Sequence, residues 1–218
     1  MPLPTALATR WQPLGSGRQS APGALRDARL AARLAAYKRE VAGAYRSLAL
    51  DALDTVLHAG PCWVSPKCDG MTAVLHRQDG VTVVITPTGQ VLADLPLTRE
   101  ADQQFGDWHG LLAGELSAVT DAGRPTIYSL HAALGGGAAA PVDRLCCAAF
   151  DVLQDGTEDA QALLYAQRAE CLQALLGTGT LAQAVPVRAA QMVPIRGHWA
   201  GPDRRLARHC TLKSPRGG

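Results

Sequence analysis

The hydrophobic pattern of this chain changes its period at residues 59–61, and this change limits the possible folds more than any other feature. Over residues 24–58, apolar residues recur mostly at steps of three, four or seven, which is typical of an amphipathic helix. The tripeptide Ala59-Gly60-Pro61 ends that pattern. After it come short apolar runs separated by turn residues, which predict β-strands. A purely helical fold is therefore excluded.

The downstream pattern predicts both strands and helices. Asp79-Gly80 lies between two apolar runs and predicts a tight hairpin turn. Strands and helices do not alternate strictly, so we expect an α+β fold with antiparallel or mixed sheets and flanking helices. The predicted strands cover residues 62–65, 71–76, 81–86, 111–119, 145–153, 187–193 and 210–213, and the predicted helices cover residues 97–105, 127–134 and 162–176.

Three regions are expected along the chain. Residues 1–22 contain four prolines and are predicted to be irregular. Residues 23–60 are predicted to be a helical region with one long helix or two short ones. Residues 61–218 are predicted to form the main domain, which ends in a basic segment.

Charge is distributed unevenly although the net charge is only +2. Residues 1–46 hold eight basic and two acidic residues, and residues 188–218 hold seven basic and one acidic. The middle, residues 47–187, holds six basic and 16 acidic residues. Basic ends of this kind favour a polyanionic partner, although solvated basic tails would show the same pattern.

The sequence favours neither a membrane protein nor a disulfide-rich protein. We expect no secretory signal and no membrane span, because the sequence contains no apolar run of about 18 residues. The six cysteines show no CxxC spacing, so we expect free thiols rather than a zinc or disulfide framework. A cytoplasmic location, associated with the nucleoid, is the expectation.

Lys67 is the candidate nucleophile of the chain. It is one of three lysines among 21 basic residues, and it lies in a short link between two predicted strands, within Lys67-Cys68-Asp69-Gly70. A lysine amine is nucleophilic only when neutral, a state that desolvation or a nearby positive charge favours. Gly70 would let the backbone approach a ligand closely. Taken alone, the tetrapeptide is equally consistent with a turn that carries a surface lysine.

Three motifs together resemble the covalent nucleotidyltransferase superfamily, and specifically the adenylation domain of ATP-dependent DNA ligases. The first is the KxDG tetrapeptide of Lys67, followed by a strand that ends near His76 and by the Asp79-Gly80 turn. The second is residues 112–116, LAGEL, which are similar to the family's DGEL strand. The third is residues 149–156, AFDVLQDG, which are similar to the FDxL element. The resemblance covers about residues 60–176 and implies an ATP-grasp-like fold.

The resemblance also implies roles for individual residues. Lys67 would attack the α-phosphate of ATP, and the adenylate would pass to a 5′-phosphate at a break in nucleic acid. Glu115 would contact the ribose or hold a divalent metal, Mg or Mn, and Phe150 would stack on the adenine, with a plain core role as the alternative. The implied nucleotide-binding residues are Asp69, Gly70, Thr72, Glu115, Phe150 and Lys213. The implied nucleic-acid contacts are Arg196, Arg204, Arg205 and Arg208.

The sequence departs from the family at several positions. Thr72 and Pro87 stand where the family has arginines that act near the ribose or phosphates. Lys213 is the candidate for the lysine of a later EGxxxK element, but the Glu-Gly places hold Arg208 and His209, and a plain basic-tail role for Lys213 stays open. The OB-fold domain that usually follows is also expected to be absent.

These observations lead to three functional hypotheses. The first is an ATP-dependent DNA ligase that seals nicks in double-stranded DNA during repair, with a partner protein supplying missing functions. The second is a non-catalytic ligase-like repair subunit that binds nucleotide or DNA. The third is an RNA ligase.

Overall fold

A computed structural model describes residues 3–40, 42–44, 46–49, 62–66, 69–120, 125–176, 187–189, 193–195 and 209–213. The helices are α1 (Leu3–Leu7), α2 (Ala28–Glu40), α3 (Pro96–Phe105), α4 (Ile127–Gly135) and α5 (Tyr165–Leu176). The strands are β1 (Gln12–Leu14), β2 (Gly17–Gln19), β3 (Arg46–Ala49), β4 (Cys62–Pro66), β5 (Met71–Gln78), β6 (Val81–Ile85), β7 (Val91–Ala93), β8 (Gly110–Val119), β9 (Pro125–Thr126), β10 (Leu145–Asp155), β11 (Glu158–Asp159), β12 (Val187–Ala189), β13 (Val193–Ile195) and β14 (His209–Lys213).

The described strands form two sheets. The main sheet has the order β1-β2-β7-β6-β5-β8-β10-β11, with β9 paired to β8 and β12 paired to β10. Its pairings are antiparallel except for β10 with β12, which run parallel. The second sheet has the order β13-β4-β14-β3 and is antiparallel throughout. The predicted α+β class with antiparallel and mixed sheets is confirmed.

Helices cover both faces of the main sheet. One face packs against apolar residues of α3, α4 and α5, such as Leu97, Leu130 and Leu172. The other face, called here the α2 face, packs against Leu7 of α1 and against Leu30 and Tyr37 of α2. Successive side chains of a strand point to opposite faces, so each central strand contributes to both cores. None of the described helices combines the length and apolar composition required to cross a membrane.

The hairpin between β5 and β6 forms as the sequence predicts. Asp79 and Gly80 have positive φ angles of 51° and 78°, which two-residue hairpin turns of the Asp-Gly type require. The helices expected over residues 97–105, 127–134 and 162–176 are confirmed as α3, α4 and α5, with ends shifted by at most three residues.

Two expectations about the N-terminal region are wrong. Residues 1–22 are not irregular throughout, because α1, β1 and β2 lie there and β2 joins the main sheet next to β7. Pro13 is tolerated because β1 is the outermost strand, where the missing N–H of a proline removes no hydrogen bond from the centre of the sheet. The helical region expected over residues 23–60, as one long helix or two short ones, is also wrong in part. Helix α2 ends at Glu40, and residues 46–49 form β3, because pairing with β14 overrides a helical pattern.

Candidate active site

Strand register places two of the candidate site residues side by side. Thr72 of β5 is the Cα partner of Glu115 of β8, and Glu115 is in turn the partner of Ala148 of β10. Val74 and Ala113 lie two residues from Thr72 and Glu115 respectively, and both pack in the core of the α2 face. Since alternate residues of a strand share a face, Thr72 and Glu115 also lie on the α2 face. Both are half-buried.

Phe150 lies on this same face. It packs, partly buried, against the core formed with α1 and α2. The register between β10 and β8 shifts between Ala149 and Asp151, so Phe150 is the extra residue of a β-bulge. A bulge redirects the side chain at that point of a strand. The three motifs of the resemblance thus converge on the adjacent strands β5, β8 and β10.

Gly70 has a packing role that the sequence did not reveal. A Cβ at this position would lie 2.2 Å from the backbone oxygen of Leu116 and 3.1 Å from Cγ of Glu115. The space that we expected to admit a ligand is therefore filled by β8. Gly70 allows the chain to enter β5 in direct contact with the strand that carries Glu115.

Asp69 contacts the start of α4. Its Oδ2 accepts a hydrogen bond from the backbone N of Ile127 at 3.4 Å, a long bond at an exposed position. A carboxylate at a helix N-terminus is favourable because the unpaired N–H groups there carry partial positive charge. Asp69 therefore links the segment that follows Lys67 to α4.

Several predicted site residues fall outside this geometry. Lys67 itself lies outside the described residues, one position after the end of β4. The same is true of the four arginines predicted to contact nucleic acid, Arg196, Arg204, Arg205 and Arg208. Lys213 ends β14, where its Cα partner is Trp63 of β4, and nothing is described of its side chain. The structure therefore brings the strand of Lys213 beside the strand that leads to Lys67.

Comparison with known proteins gives matches among solved structures. A scan against family models found no match, and neither did a search of curated proteins. A structure described as "mycobacterial DNA ligase D complexed with ATP and MES" matches at 20% identity over 61% of this chain and 41% of the other, with a TM-score of 0.47. The ligase domain of M. tuberculosis LigD matches at 19% identity over 61% and 40%, also with a TM-score of 0.47. A structure described as "Pmar-Lig_Pre." matches at 12% identity over 68% and 34%, with a TM-score of 0.50.

The described residues share their fold with the structure described as "Pmar-Lig_Pre.". At these identities the likeness concerns the fold alone. The chain spans about two fifths of the length of the mycobacterial structures that it matches.

Among the described residues, the candidates for holding a nucleotide are the Glu115 carboxylate and the Phe150 ring. A cleft on the α2 face is lined by Leu34, Tyr37 and Lys38 from α2 and by Thr72, Thr86 and Pro87 from the sheet side. Its lining is almost wholly apolar, and it is far smaller than a nucleotide. No three acidic, His or Cys side chains cluster as a metal site among the described residues. Glu115 would supply a single ligand, which suits Mg²⁺ held jointly with phosphates.

A second group of residues was missed from the sequence. Asp151 of the FDxL motif is fully buried, pairs with Arg168 of α5 and accepts a hydrogen bond from the Tyr37 hydroxyl at 2.8 Å. Arg33 donates to the Leu153 carbonyl and to side chains at the end of β10 and in β11. The helical period of residues 28–40 predicted that one side of this helix is buried. No local sequence signal shows which strand that side packs against.

His76 is the one described residue of this fold whose pKa is lowered far into the acidic range. Burial lowers its pKa to about 4, against an opposing effect of the Asp27 carboxylate. Its Nδ1 is buried and has no hydrogen-bond partner among the described residues. His76 therefore acts as a neutral group of the core on the α2 face at physiological pH.

Proposed function

We propose that this chain is an ATP-dependent DNA ligase-type nucleotidyltransferase, with Lys67 as the nucleophile. The observation that carries the proposal is the register that joins the three motifs. Residues 69–72, 115 and 150 are far apart in sequence, yet strand pairing brings them onto β5, β8 and β10 with the candidate side chains on one face. The fold shared with the structure described as "Pmar-Lig_Pre." supports the same conclusion.

In the proposed reaction, the neutral amine of Lys67 attacks the α-phosphorus of ATP. A phosphorus–nitrogen bond forms, the bond to the bridging oxygen breaks, pyrophosphate leaves, and the amine loses a proton. A 5′-phosphate oxygen at a nick then takes the adenylate and releases Lys67. A 3′-hydroxyl finally attacks that 5′-phosphate, AMP leaves, and the strand is sealed. A bound Mg²⁺ or Mn²⁺ would neutralise phosphate charge in these steps.

Glu115 and Phe150 position the nucleotide in this proposal. Glu115 lies on β8 beside Thr72 of β5, and Thr72 follows Gly70 by two residues. In this proposal, the Glu115 carboxylate contacts the ribose or a phosphate-bound metal. Phe150 offers an aromatic face, which the bulge in β10 orients. Nicked double-stranded DNA is the proposed substrate, and Arg196, Arg204, Arg205 and Arg208 are its proposed phosphate contacts. A repair partner that completes the site is part of the same proposal.

The deciding experiment uses ATP labelled at the α-phosphate, with Mg²⁺ and separately with Mn²⁺, followed by denaturing electrophoresis. We expect a denaturation-stable label that pyrophosphate removes and that Lys67→Ala lacks. Arg39→Ala, at an exposed position, is the matched control and should label like the unchanged protein. Transfer of label to nicked DNA and to nicked RNA then decides between DNA and RNA as the substrate.

A non-catalytic, nucleotide-binding or DNA-binding subunit is the second candidate. It is favoured by Thr72 and Pro87, which both line the cleft and carry no charge where the resemblance implies arginine. Under this alternative no label forms with either metal, while binding of ATP or DNA persists. Those two measurements separate the alternatives.

A further inference from the structure

The bulge that carries Phe150 is held by a tyrosine of α5. The hydroxyl of Tyr165 donates a hydrogen bond to the backbone carbonyl of Phe150 at 3.0 Å. Tyr165 is 2% exposed, and none of the three motifs includes it. Its partner is the residue at which the register between β10 and β8 shifts. The hydrogen bond therefore restrains β10 at the residue that is proposed to stack on the base.

Tyr165 is itself held in place by its surroundings. It packs with Ala169, one turn further along α5, in a small buried cluster. The guanidinium carbon of Arg168 lies 5.4 Å from the centroid of its ring. A cation at this distance from an aromatic face is attracted to it. The hydroxyl of Tyr165 is consequently presented to β10 from a fixed ring.

The next residue of β10 is held from the same turn of α5. Arg168 pairs with the buried carboxylate of Asp151 at 2.7 Å. Residues three apart on a helix lie on the same side of it. Tyr165 and Arg168 therefore hold two consecutive strand residues, Phe150 by its carbonyl and Asp151 by its carboxylate. Two attachments at adjacent residues restrain the backbone torsions between them.

Tyr165 acts on the Phe150 ring through the backbone. The ring packs, partly buried, on the α2 face, whereas α5 packs on the opposite face of the main sheet through residues such as Leu172. A bulge changes the direction in which a strand presents its side chain, so the backbone orientation at Phe150 sets the direction of the ring. A donor that fixes this carbonyl also fixes that direction.

We infer that Tyr165 is a positioning residue for the base of the nucleotide and that it acts through Phe150. The inference rests on the proposed function for the identity of the ligand. Without the Tyr165 hydroxyl, the bulge takes up a wider range of orientations, and ordering the ring against the base costs more free energy on binding. Tyr165 contacts no ligand in this inference and performs no chemical step.

The test measures equilibrium binding of ATP by calorimetry in a Lys67→Ala background, which lacks the proposed nucleophile. Tyr165→Phe removes only the hydroxyl and keeps the ring beside Arg168. We expect it to weaken ATP binding about 3- to 10-fold, as the loss of one neutral hydrogen bond predicts. Tyr128→Phe removes a hydroxyl from a tyrosine that is 83% exposed, and this control should bind ATP normally.

A double-mutant cycle tests whether Tyr165 acts through the Phe150 ring. Phe150→Ala should weaken ATP binding about 10- to 100-fold, because stacking of the base on an aromatic ring is lost. In that background Tyr165→Phe should cause no further loss, since no ring remains to be oriented. A purely structural role of Tyr165 would instead lower ATP affinity by the same factor in both backgrounds. Circular dichroism verifies the fold of every variant.

Four outcomes would overturn the inference. ATP affinity that is unchanged in Tyr165→Phe contradicts it directly. Equal fold-losses from Tyr165→Phe with and without the Phe150 ring would assign Tyr165 a structural role. ATP affinity that is unchanged in Phe150→Ala would remove the ring from the nucleotide site. Failure of the folded Lys67→Ala protein to bind ATP would remove the site altogether.

The proposed ligase chemistry can fail separately from this inference. If ATP binding shows the expected coupling between Tyr165 and Phe150 but no lysyl adenylate forms in the unchanged protein, the inference stands and the catalytic proposal fails. If the label forms and Tyr165→Phe binds ATP like the Tyr128→Phe control, the catalytic proposal stands and the inference fails.

Discussion

Asp151 and Arg168 form a buried two-point ion pair between β10 and α5. Nε of Arg168 donates to Oδ1 of Asp151 at 2.7 Å, and Nη2 donates to Oδ2 at 3.3 Å. The Tyr37 hydroxyl donates to Oδ2 from α2 on the opposite side. One carboxylate of the FDxL motif thus connects the central sheet to helices on both of its sides. Its position in the fold is structural rather than catalytic.

Removal of Arg168 should strongly destabilise the fold. Arg168→Leu leaves the carboxylate of Asp151 buried without its cation, which is expected to cost about 3–5 kcal/mol of unfolding free energy. Urea unfolding followed by circular dichroism measures this change. Arg39→Leu breaks an exposed pair and should change stability by at most about 1 kcal/mol. Equal effects of the two substitutions would contradict the role assigned to the Asp151–Arg168 pair.

Gly70→Ala should distort the join between β5 and β8. The added Cβ would meet the backbone oxygen of Leu116, so the strand must move, at an expected cost of about 1–3 kcal/mol. Labelling with ATP should fall as well, because the segment after Lys67 shifts. Gly135→Ala is the control, since a Cβ there meets nothing within 4 Å. Stability and labelling unchanged in Gly70→Ala would refute the packing argument.

His76 should make the protein less stable as the pH falls below neutrality. Its pKa is about 4 in the folded protein and 6.5 in the unfolded chain, so the unfolded chain binds more protons between these values. Stability is therefore full above about pH 6.5 and declines towards pH 4, with a loss of about 2 kcal/mol from this residue at pH 5.

The measurement for His76 compares urea unfolding at pH 7 and pH 5. His76→Leu should reduce the difference in unfolding free energy between pH 7 and pH 5, whereas His131→Ala, at an exposed histidine, should leave that difference unchanged. A pH profile that His76→Leu leaves unchanged would show that other groups control stability in this range.

Glu115→Gln should reduce formation of the labelled adenylate. The substitution keeps the size of the side chain but removes the negative charge, so a charge-assisted contact to ribose or metal is lost. We expect a decrease of about 10- to 100-fold in the labelling rate, measured over a range of ATP and Mg²⁺ concentrations. Glu158→Gln in the exposed β11 is the control. Full activity of Glu115→Gln would remove Glu115 from the proposed site.

The central motifs could be located from the sequence because their signals are local. The Asp79-Gly80 turn requires positive φ at two consecutive residues, and few residue types other than Asp, Asn and Gly accept this. The apolar runs of β5, β6, β8 and β10 are bounded by clear turn residues. The register of these strands then follows from which face is buried.

The N-terminal region could not be predicted in the same way. The segments 12–14 and 17–19 are too short and too polar for their sequence to indicate strands. They become strands because β2 pairs with β7. Residues 46–49 fit a helical period, but they pair with β14, more than 150 positions away in sequence. Such pairings depend on distant partners that no local pattern encodes.

The sequence by itself determined the α+β class, the order of the central strands along the chain, and the three motifs that nominate Lys67, Glu115 and Phe150. Only the tertiary structure decided that α2 covers the face on which Thr72, Glu115 and Phe150 lie, and that Asp151 is buried between Tyr37 and Arg168. The physical reason is the range of the interactions. Turns and periodicity act within a few residues, whereas burial, ion pairing and register join segments that come together only when the whole chain folds.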